Sequence, residues 1–493
     1  MRCLVLGVLL VAGPASAQSD PEVIQDDAAS APVSAAPPPP LSPAVVGGRI
    51  HQRTLVDTVF EDDLGEDIVE ARSRFGLHVE APMSERVRTR ISARLDHRLL
   101  VPGEGDGTRA SAEPRLLDAY VDVDLGALDL RAGQQVISWG RVDAFPTADF
   151  LNPPDLTEGL STDLEAAVVP VPALRADLGA SEWLSLAVVY EPFFVPARVE
   201  LFGSDFALVG PGASAEERAQ IATLRGLVDD SVIEDVQDDL LATELPDETV
   251  VNGQVGGRIE ARGPEGAVAL SGFSGYEKIP TATIDPALRD YLSDPTDIGA
   301  QIEMFSRVQA GERVFRSRYR RMQIVALDGE MPAGDLLLRF DLGWTRERTL
   351  YYAATEAGCA LPCPVRSGVV QVAFQAEYTS GETWLVTAEL VVLHATRPPP
   401  AGTLLMFGED GTLPATVVAV RRTFLAGDLE LSVFGFSTWK PRSLIASGTG
   451  TYRLAEGLRV EAGAIVYEGE GSQSPGAVYD PNDAAFAGVR WDF

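Results

Sequence analysis

Hydrophobic and polar residues alternate from position 45 to the end of the chain, in segments of about ten residues. Because successive side chains of a β-strand point to opposite faces, each segment predicts a strand with one apolar and one polar face. The segment from 69 to 81 has Arg72 and Arg74 on one face and Phe75 and Leu77 on the other. The pattern predicts eighteen strands, near residues 45–58, 69–81, 85–100, 114–125, 128–139, 166–179, 183–192, 250–262, 266–276, 313–329, 335–347, 367–380, 383–395, 414–425, 428–437, 442–453, 458–469 and 483–493.

The connections between these segments differ in length in a regular order. Joints such as 126–127 and 263–264 are short, whereas 140–165, 193–249 and 277–312 are long. Alternation of residues alone fits a soluble β-sandwich as well as a membrane barrel. Short turns that alternate with long loops are typical of bacterial outer-membrane barrels, and a sandwich has no reason to keep that order. We therefore expect an all-β fold, a transmembrane antiparallel β-barrel of about 16–18 strands with long, partly helical external loops.

Two of the long loops carry helix signals. Ser214 and Glu217 have the spacing of a capping box. Asp285-Pro286 and Asp294-Pro295 each place a cap residue before a proline at the first helical turn. Such helices could be external lids, inward-folded constrictions or solvated decoration, and the residue pattern leaves these alternatives open.

The first 44 residues divide into two segments that precede the barrel. Residues 1–17 have the features of a signal peptide, with Arg2 before an apolar run and the small residues Ala15-Ser16-Ala17 at the cleavage site. Residues 18–44 are rich in Ala and Pro and predict an extended periplasmic leader. The barrel is expected to occupy residues 45–493.

The cysteines predict one small covalent loop. Cys3 leaves with the signal peptide, and Cys359 and Cys363 remain as a pair in an oxidising compartment. A disulfide is the favoured interpretation, because a metal site would need further ligands close by in the sequence. We expect no metal and no cofactor.

The C-terminal strand points to the outer membrane. Trp491 and Phe493 fall on its apolar face, and a terminal Phe on an alternating last strand resembles the signal read by the barrel-assembly machinery. Trp344, Tyr378 and Trp384 stand at strand ends on apolar faces, where aromatic girdles meet the membrane interfaces. The expected location is the cell outer membrane, in contact with its lipid and lipopolysaccharide.

Charge and hydropathy narrow the function classes. The formal net charge of −32 makes nucleic acid a poor partner. The chain has no run of 18 apolar residues, so the sequence predicts no transmembrane helix.

The polar faces of the strands are the main candidate functional surface. A water-filled lumen needs polar walls, and rows of charge set the selectivity of a pore. The arginine row near residues 88–98 is expected to face acidic residues of the following strand, and rows of opposite charge across the lumen would orient polar solutes. The pore-lining candidates are Arg72, Arg74, His78, Arg88, Arg90, Arg94, Arg98, Asp118, Asp122, Asp124, Arg316, Arg318, Arg320, Arg339 and Asp341.

Residues 131–200 are the most distinctive part of the chain. They contain Arg131-x-Gly133-x-Gln135-x-x-x-Trp139-Gly140, then Asn152-Pro-x-Asp155, a Val-Pro pair at 169–172, and a Phe/Pro/Arg element at 193–198. This region resembles an uncharacterised family of proteobacterial outer-membrane barrels, a domain of unknown function that is distantly similar to alginate-export and carbohydrate-porin barrels. The resemblance implies passage of small, often hydrophobic, molecules across the outer membrane.

The loop after Trp139-Gly140 is a candidate eyelet. Folded inward, it would narrow the lumen; folded outward, it would be a structured cap, and we favour the inward arrangement. The candidate residues are Trp139, Arg141, Asp143, Asn152 and Asp155.

Enzymatic chemistry has little support in the sequence. Of the four histidines, His78 is expected to face the lumen, His97 and His394 fall on apolar faces, and none stands beside a Ser or Asp in a hydrolase motif. We therefore expect a channel that passes a small solute through a polar lumen, and not an enzyme. The alternatives are an export conduit that works with a periplasmic partner, and, less favoured, an outer-membrane hydrolase.

Overall fold

The fold is that of a computed structural model, which describes residues 43–58, 67–102, 108–157, 167–199, 245–247, 249, 252–294, 296–310, 312, 315–352, 363–381, 383–397, 410–470 and 474–493. The signal peptide, most of the leader, Cys359 and the capping box at Ser214 lie outside the described residues. Cys363 begins a strand. No helix in the described part of the chain is long and apolar enough to cross a membrane.

Eighteen antiparallel strands form a closed barrel. Closure occurs where β1 pairs with both β2 and β20, the last strand. The barrel strands are β1 (Val45–Asp57), β2 (Asp67–Ser84), β3 (Val87–Pro102), β4 (Arg109–Asp124), β5 (Leu128–Gln135), β6 (Val171–Ser181), β7 (Leu184–Glu191), β8 (Gln254–Gly263), β9 (Gly266–Tyr276), β12 (Arg321–Ala333), β13 (Leu336–Tyr352), β14 (Cys363–Ser380), β15 (Trp384–Ala395), β16 (Thr412–Phe424), β17 (Leu429–Trp439), β18 (Arg442–Ala455), β19 (Leu458–Gly469) and β20 (Ala484–Asp492).

The outer surface of the barrel is apolar. Leu77, Ile91, Leu270, Phe374 and Val433 point outward and are each about half exposed. Their neighbours along each strand point inward, so the alternation in the sequence becomes an apolar outer wall and a lumen with many polar side chains. Aromatic side chains are exposed near the end of the barrel with the short turns: Trp183, Tyr378, Trp384, Tyr452 and Trp491.

In the described part of the chain, a small sheet and three α-helices lie outside the barrel wall. Strands β10 (Thr281–Ile284) and β11 (Phe315–Arg318) form a separate hairpin. Between them lie α1 (Pro286–Ser293), capped by the Asp285 side chain, and α2 (Ile298–Gln309). A one-turn helix, α3 (Pro475–Val478), follows β19.

The expected barrel of 16–18 strands is confirmed, and each of the eighteen predicted segments overlaps one barrel strand. The segment before β12 is among those that the pattern made too long. The prediction began a strand at residue 313, but the barrel strand starts at Arg321, so Arg316, Arg318 and Arg320 do not stand on the barrel wall. The reason is that an alternating pattern does not distinguish a short hairpin from the wall strand that follows it.

Candidate constriction site

The chain leaves the barrel wall after β5 and returns at β6, and part of this connection lies inside the barrel. We call residues 136–157 the constriction loop. Most of its apolar side chains are almost fully buried, with Ile137 and Leu151 at 1% and 0% exposure, whereas Val136 at its start is exposed. Trp139 and Leu151 pack against Gly256 on the inner face of β8. The alternation of polar and apolar residues in β5 continues through residues 136–139, which explains why the sequence pattern predicted a strand that ends at Trp139.

Asn152 holds the two ends of the constriction loop together. Its side-chain Oδ1 accepts a hydrogen bond from the Ile137 N–H at 2.7 Å. Its Nδ2 donates to the Val169 carbonyl at 2.9 Å. One buried amide therefore satisfies backbone groups at both ends of the loop.

Two wall carboxylates hold the far side of the loop. Asp341 on β13 accepts the N–H groups of Arg141 at 3.1 Å and Thr147 at 3.0 Å. Glu389 on β15 accepts the N–H groups of Ala144 at 2.9 Å and Phe145 at 3.0 Å. Asp341 is buried to 0% exposure, and charge-assisted hydrogen bonds of this kind are stronger than neutral ones.

Two glutamines of β14 complete this attachment. Gln375 accepts the Asp143 N–H at 2.7 Å and donates to the Asp143 carboxylate at 2.6 Å. Gln371 donates to the Phe145 carbonyl at 2.7 Å. The loop is thus bound to three neighbouring strands, β13, β14 and β15, through its backbone.

Arg141 fixes the loop to another part of the wall. Its guanidinium donates to Glu260 on β8 at 2.7 Å and to Glu330 on β12 at 2.9 Å. Its Nε lies 3.5 Å from Asp328. Arg339 lies beside it and bridges Asp143 at 3.3 Å to Glu377 at 2.9 Å.

Aromatic packing extends the loop across the lumen. Phe145 stacks on Phe436 of β17, with ring centroids 5.4 Å apart. Phe150 contacts Phe273 of β9 at 5.1 Å and the edge of Trp139 at 6.0 Å. The loop that begins at β5 therefore contacts the wall as far round as β17.

Two glycines allow this close approach. Gly140 has φ +102°, and a Cβ there would lie 2.8 Å from the Asp341 carboxylate. Gly343 on β13 faces Thr147 so closely that a Cβ would overlap the threonine side chain. Both positions require glycine for the loop to lie against β13.

The inner face of β2, β3 and β4 is rich in arginine. Glu70, with a side chain 3% exposed, pairs with Arg98 at 2.5 Å and with Arg72. Asp96 lies 2.8–3.5 Å from one arginine of each strand. These three arginines are Arg74, Arg94 and Arg115.

Residues of the loops join this arginine cluster. Asp155 of the constriction loop pairs with Arg115 at 2.7 Å and lies 3.4 Å from Arg198. Arg198 also donates to Glu113 at 2.6 Å. A cavity of about 80 Å³ lies among these side chains. Within the described residues the cluster holds six arginines and four carboxylates, so positive charge is in excess.

Burial changes the proton affinity of groups in the loops. Burial raises the pKa of Asp149 to about 7, against hydrogen bonds from Ser138 and from the Trp139 N–H. Burial also raises the pKa of Glu277, whose carboxylate accepts bonds from Thr349. Burial lowers the pKa of Lys278, which is ion-paired with Glu191 at 2.8 Å.

The structure brings the five eyelet candidates, Trp139, Arg141, Asp143, Asn152 and Asp155, together in one inward-folded loop. The basic candidates Arg72, Arg74, Arg94 and Arg98 come together in the arginine cluster, whereas Arg339 and Asp341 stand at the loop attachment. His78 is half-buried beside Gly47.

Three acidic candidates lie elsewhere than expected. Asp118 is 3.4 Å from Arg90 on the neighbouring strand, and Asp122 pairs with Arg131 at 2.6 Å. Asp124 is exposed at the end of β4, where it accepts the Gly126 N–H of the following turn at 2.7 Å. Opposite charges on adjacent strands face each other directly, so these acids lie beside the arginine row and not across the lumen from it.

Arg88, which pairs in register with Asp122, is exposed.

Sequence reasoning missed the wall residues that hold the loop. Glu389, Glu260, Asp328 and Glu330 were not among the candidates, although each is an acid on the polar face of a strand. Such a residue has the same sequence pattern whether it faces water, an arginine or a loop. Within the described ranges, no group of three or more His, Cys, Asp or Glu side chains is placed to hold a metal ion.

Comparison with known proteins places the chain in a family. Residues 102–403 match the family described as "Protein of unknown function (DUF1302)". The chain belongs to the DUF1302 family. The constriction loop, the arginines of β4 and most of the acidic wall fall within the matched residues. No curated protein matches this DUF1302 chain.

Three solved structures similar to the DUF1302 barrel cover most of it at low sequence identity. Pseudomonas aeruginosa OccK5 (OpdH) is 8% identical with a TM-score of 0.47, covering 92% of this chain and 98% of its own. P. aeruginosa OpdK with vanillate is 10% identical with a TM-score of 0.45, covering 91% and 98%. Salmonella typhi OmpF with daunomycin is 9% identical with a TM-score of 0.40, covering 91% and 97%.

The DUF1302 chain is an outer-membrane β-barrel. Its eighteen strands close on themselves, so the wall leaves no unpaired edge in lipid. Its outer face is apolar with exposed aromatics near the short turns, as expected for a barrel in the outer membrane.

Proposed function

We propose that this protein is an outer-membrane channel that passes a small solute, with the constriction loop as its narrowest region. Barrels of about 16–18 strands are wide enough to leave an aqueous path, whereas eight-stranded barrels are filled by their own side chains. The observation that carries the proposal is the attachment of the constriction loop. It crosses the lumen and binds the wall through Asp341, Gln375 and Glu389, which narrows the barrel on one side.

Charge along the narrowed lumen supports passage of a polar solute. The arginine cluster of β2–β4 carries an excess of positive charge. The strands that hold the loop carry an excess of negative charge, with seven acids and four arginines among the described residues of this region. These residues are Asp143, Glu260, Asp328, Glu330, Asp341, Glu377, Glu389, Arg141, Arg258, Arg262 and Arg339. Opposite charge on two sides of a low-dielectric pore orients polar solutes.

The sequence signature fits this interpretation. In Arg131-x-Gly133-x-Gln135-x-x-x-Trp139-Gly140, the last two residues begin the constriction loop, and Asn152 closes it. We propose that the signature specifies an inward loop in relatives that share it. Expected partners are outer-membrane lipid, lipopolysaccharide and the barrel-assembly machinery, with a small solute in the lumen.

Single-channel recording of the refolded protein in a planar bilayer, across a salt gradient, tests the proposal. A channel gives steady conductance, and the reversal potential shows which charged wall dominates. A folded, heat-modifiable barrel that stays silent would contradict an open channel and favour an export conduit with a periplasmic partner tethered by the leader. Solute turnover abolished by His78→Ala would favour a hydrolase.

A further inference from the structure

The outer wall near the short turns carries a single charged side chain in the described strands. Side chains alternate between lipid and lumen along a strand, so the exposed Leu390 and Val418 show which positions of β15 and β16 point outward. Arg422 is one of them, and it stands opposite Trp384 in register. In the half of each barrel strand nearest the short turns, every other described side chain that points outward is uncharged.

Arg422 lies at the depth of the membrane interface. Only Thr423 and Phe424 separate it from the short turn at Leu425–Gly427. The short turns of bacterial outer-membrane barrels lie on the periplasmic side. A charge on the lipid face is costly at the bilayer centre and nearly neutral close to an interface. The Arg422 side chain is therefore level with the head groups of the periplasmic leaflet.

Two aromatic rings position the Arg422 guanidinium. Its Cζ lies 4.5 Å from the ring centroid of Trp384 and 4.5 Å from that of Phe424. Cation–π contacts of this kind attract the cation through the electrons of the ring and supply no oxygen acceptor for its N–H groups. The rings thus hold the guanidinium in place without satisfying it.

The charge of Arg422 has no acidic partner. Within the described part of the chain, Arg422 makes no ion pair and no hydrogen bond, and its side chain is exposed. Arg453, at a short turn of the same end, pairs instead with Asp428 at 2.5 Å. A guanidinium presents five N–H donors in a fork that matches a phosphate group. An anion at this depth would therefore find both charge and donors.

We propose that Arg422 is the centre of a phospholipid site on the periplasmic leaflet, with the lipid phosphate bound by the guanidinium. The acyl chains lie along the apolar wall, where the exposed Leu431 of β17 stands opposite Arg422. A free phosphate ion would make the first contact and not the second, so the geometry favours the lipid. The site goes beyond the proposed channel function and does not depend on it.

Native mass spectrometry of the full chain in detergent micelles, titrated with phosphatidylglycerol, tests the site. We expect a saturable lipid adduct whose affinity falls about tenfold in Arg422→Gln, since the lost hydrogen bonds join two charged groups. Arg422→Lys should have an intermediate affinity, because it keeps the charge and loses the fork. Arg453→Gln, which removes an arginine from the same end of the barrel, is the matched control and should bind as the parent does.

Three results would overturn the proposal. Equal affinity in the parent and Arg422→Gln would place the lipid elsewhere on the wall. Equal binding of diacylglycerol, which has the same tails and no phosphate, would show that the tails alone bind. Displacement of the lipid by an equal concentration of inorganic phosphate would show that a free anion occupies the site. Heat-modifiability of each variant checks that the barrel has folded; if Arg422→Gln fails this check, equal affinity in the parent and Arg422→Lys overturns the proposal instead.

Discussion

At the scale of single residues, a few wall side chains hold the loop by binding its backbone groups. Glu389 accepts two loop N–H groups, and Asp341 accepts two more. None of these four hydrogen bonds involves a loop side chain, so these bonds alone do not fix which residues stand at the four loop positions. A residue that looks like any polar lumen position in the sequence thus holds the loop in place.

Glu389→Ala should loosen the constriction loop. It leaves the N–H groups of Ala144 and Phe145 without acceptors, at about 1–3 kcal/mol each, so the detached state gains population on the order of tenfold or more. Hydrogen exchange measured by mass spectrometry should show faster exchange over residues 143–147. Glu456→Ala, at an exposed turn position, is the control and should leave those amides protected. Equal protection in parent and Glu389→Ala would show that the wall acid does not hold the loop.

Asp149→Asn should stabilise the barrel in a pH-dependent way. Because burial raises the pKa of Asp149 to about 7, the folded state resists ionisation that the unfolded state allows above about 3.9. Stability contributed by this group is therefore lost as pH rises from about 4 to about 7. Removing the charge should raise the free energy of unfolding more at pH 8 than at pH 5, by a difference on the order of 1–3 kcal/mol. The heat-modifiability midpoint of the variant, compared with that of the parent at each pH, reports this change. A gain of equal size at both pH values would contradict the assignment.

At the scale of elements, the period of two predicted all eighteen wall strands because each has one face toward lipid and one toward the lumen. Strand ends were less predictable. Residues 136–139 keep alternating after β5 has ended, and β11 alternates although it lies off the wall. Alternation shows that the two faces of a segment differ in polarity, but it does not show whether the segment belongs to the barrel.

The sequence contains few signals that show whether the loop folds into the lumen or outward. Gly140 and Asn152 mark a turn and a closure, but the partners that draw the loop inward stand about 190–245 positions further along the chain. Asp341 was a candidate as a pore-lining residue, and its role as a backbone acceptor appears only when β13 and the loop are brought together.

The arginine cluster is the element that should set ion preference. Arg98→Ala removes one positive charge and leaves Glu70 with Arg72 as its remaining partner in this cluster. The reversal potential in a salt gradient should move toward cation selectivity relative to the parent, because Glu70 gains weight in the local field. Arg453→Ala, in a short turn, is the control. A reversal potential that moves toward anion selectivity, or does not move, would contradict the prediction that the cluster sets ion preference.

At the scale of the whole molecule, the eighteen-stranded wall encloses a wide lumen, and the constriction loop occupies part of that lumen. The wall needs only alternation, which makes the fold easy to recognise, whereas the position of the loop rests on contacts between distant strands and the loop. Family membership covers residues 102–403 and so includes the loop and the β13–β15 strands that hold it.

The most direct test of this account compares single-channel conductance of the parent with a variant in which residues 141–148 are replaced by a short Gly-Ser linker. We expect steady conductance for the parent and a several-fold larger value for the variant, since pore resistance is concentrated at the constriction. Equal conductance in both would show that the loop does not narrow the path. A silent parent beside a conducting variant would show that the loop closes the barrel, which would contradict an open channel.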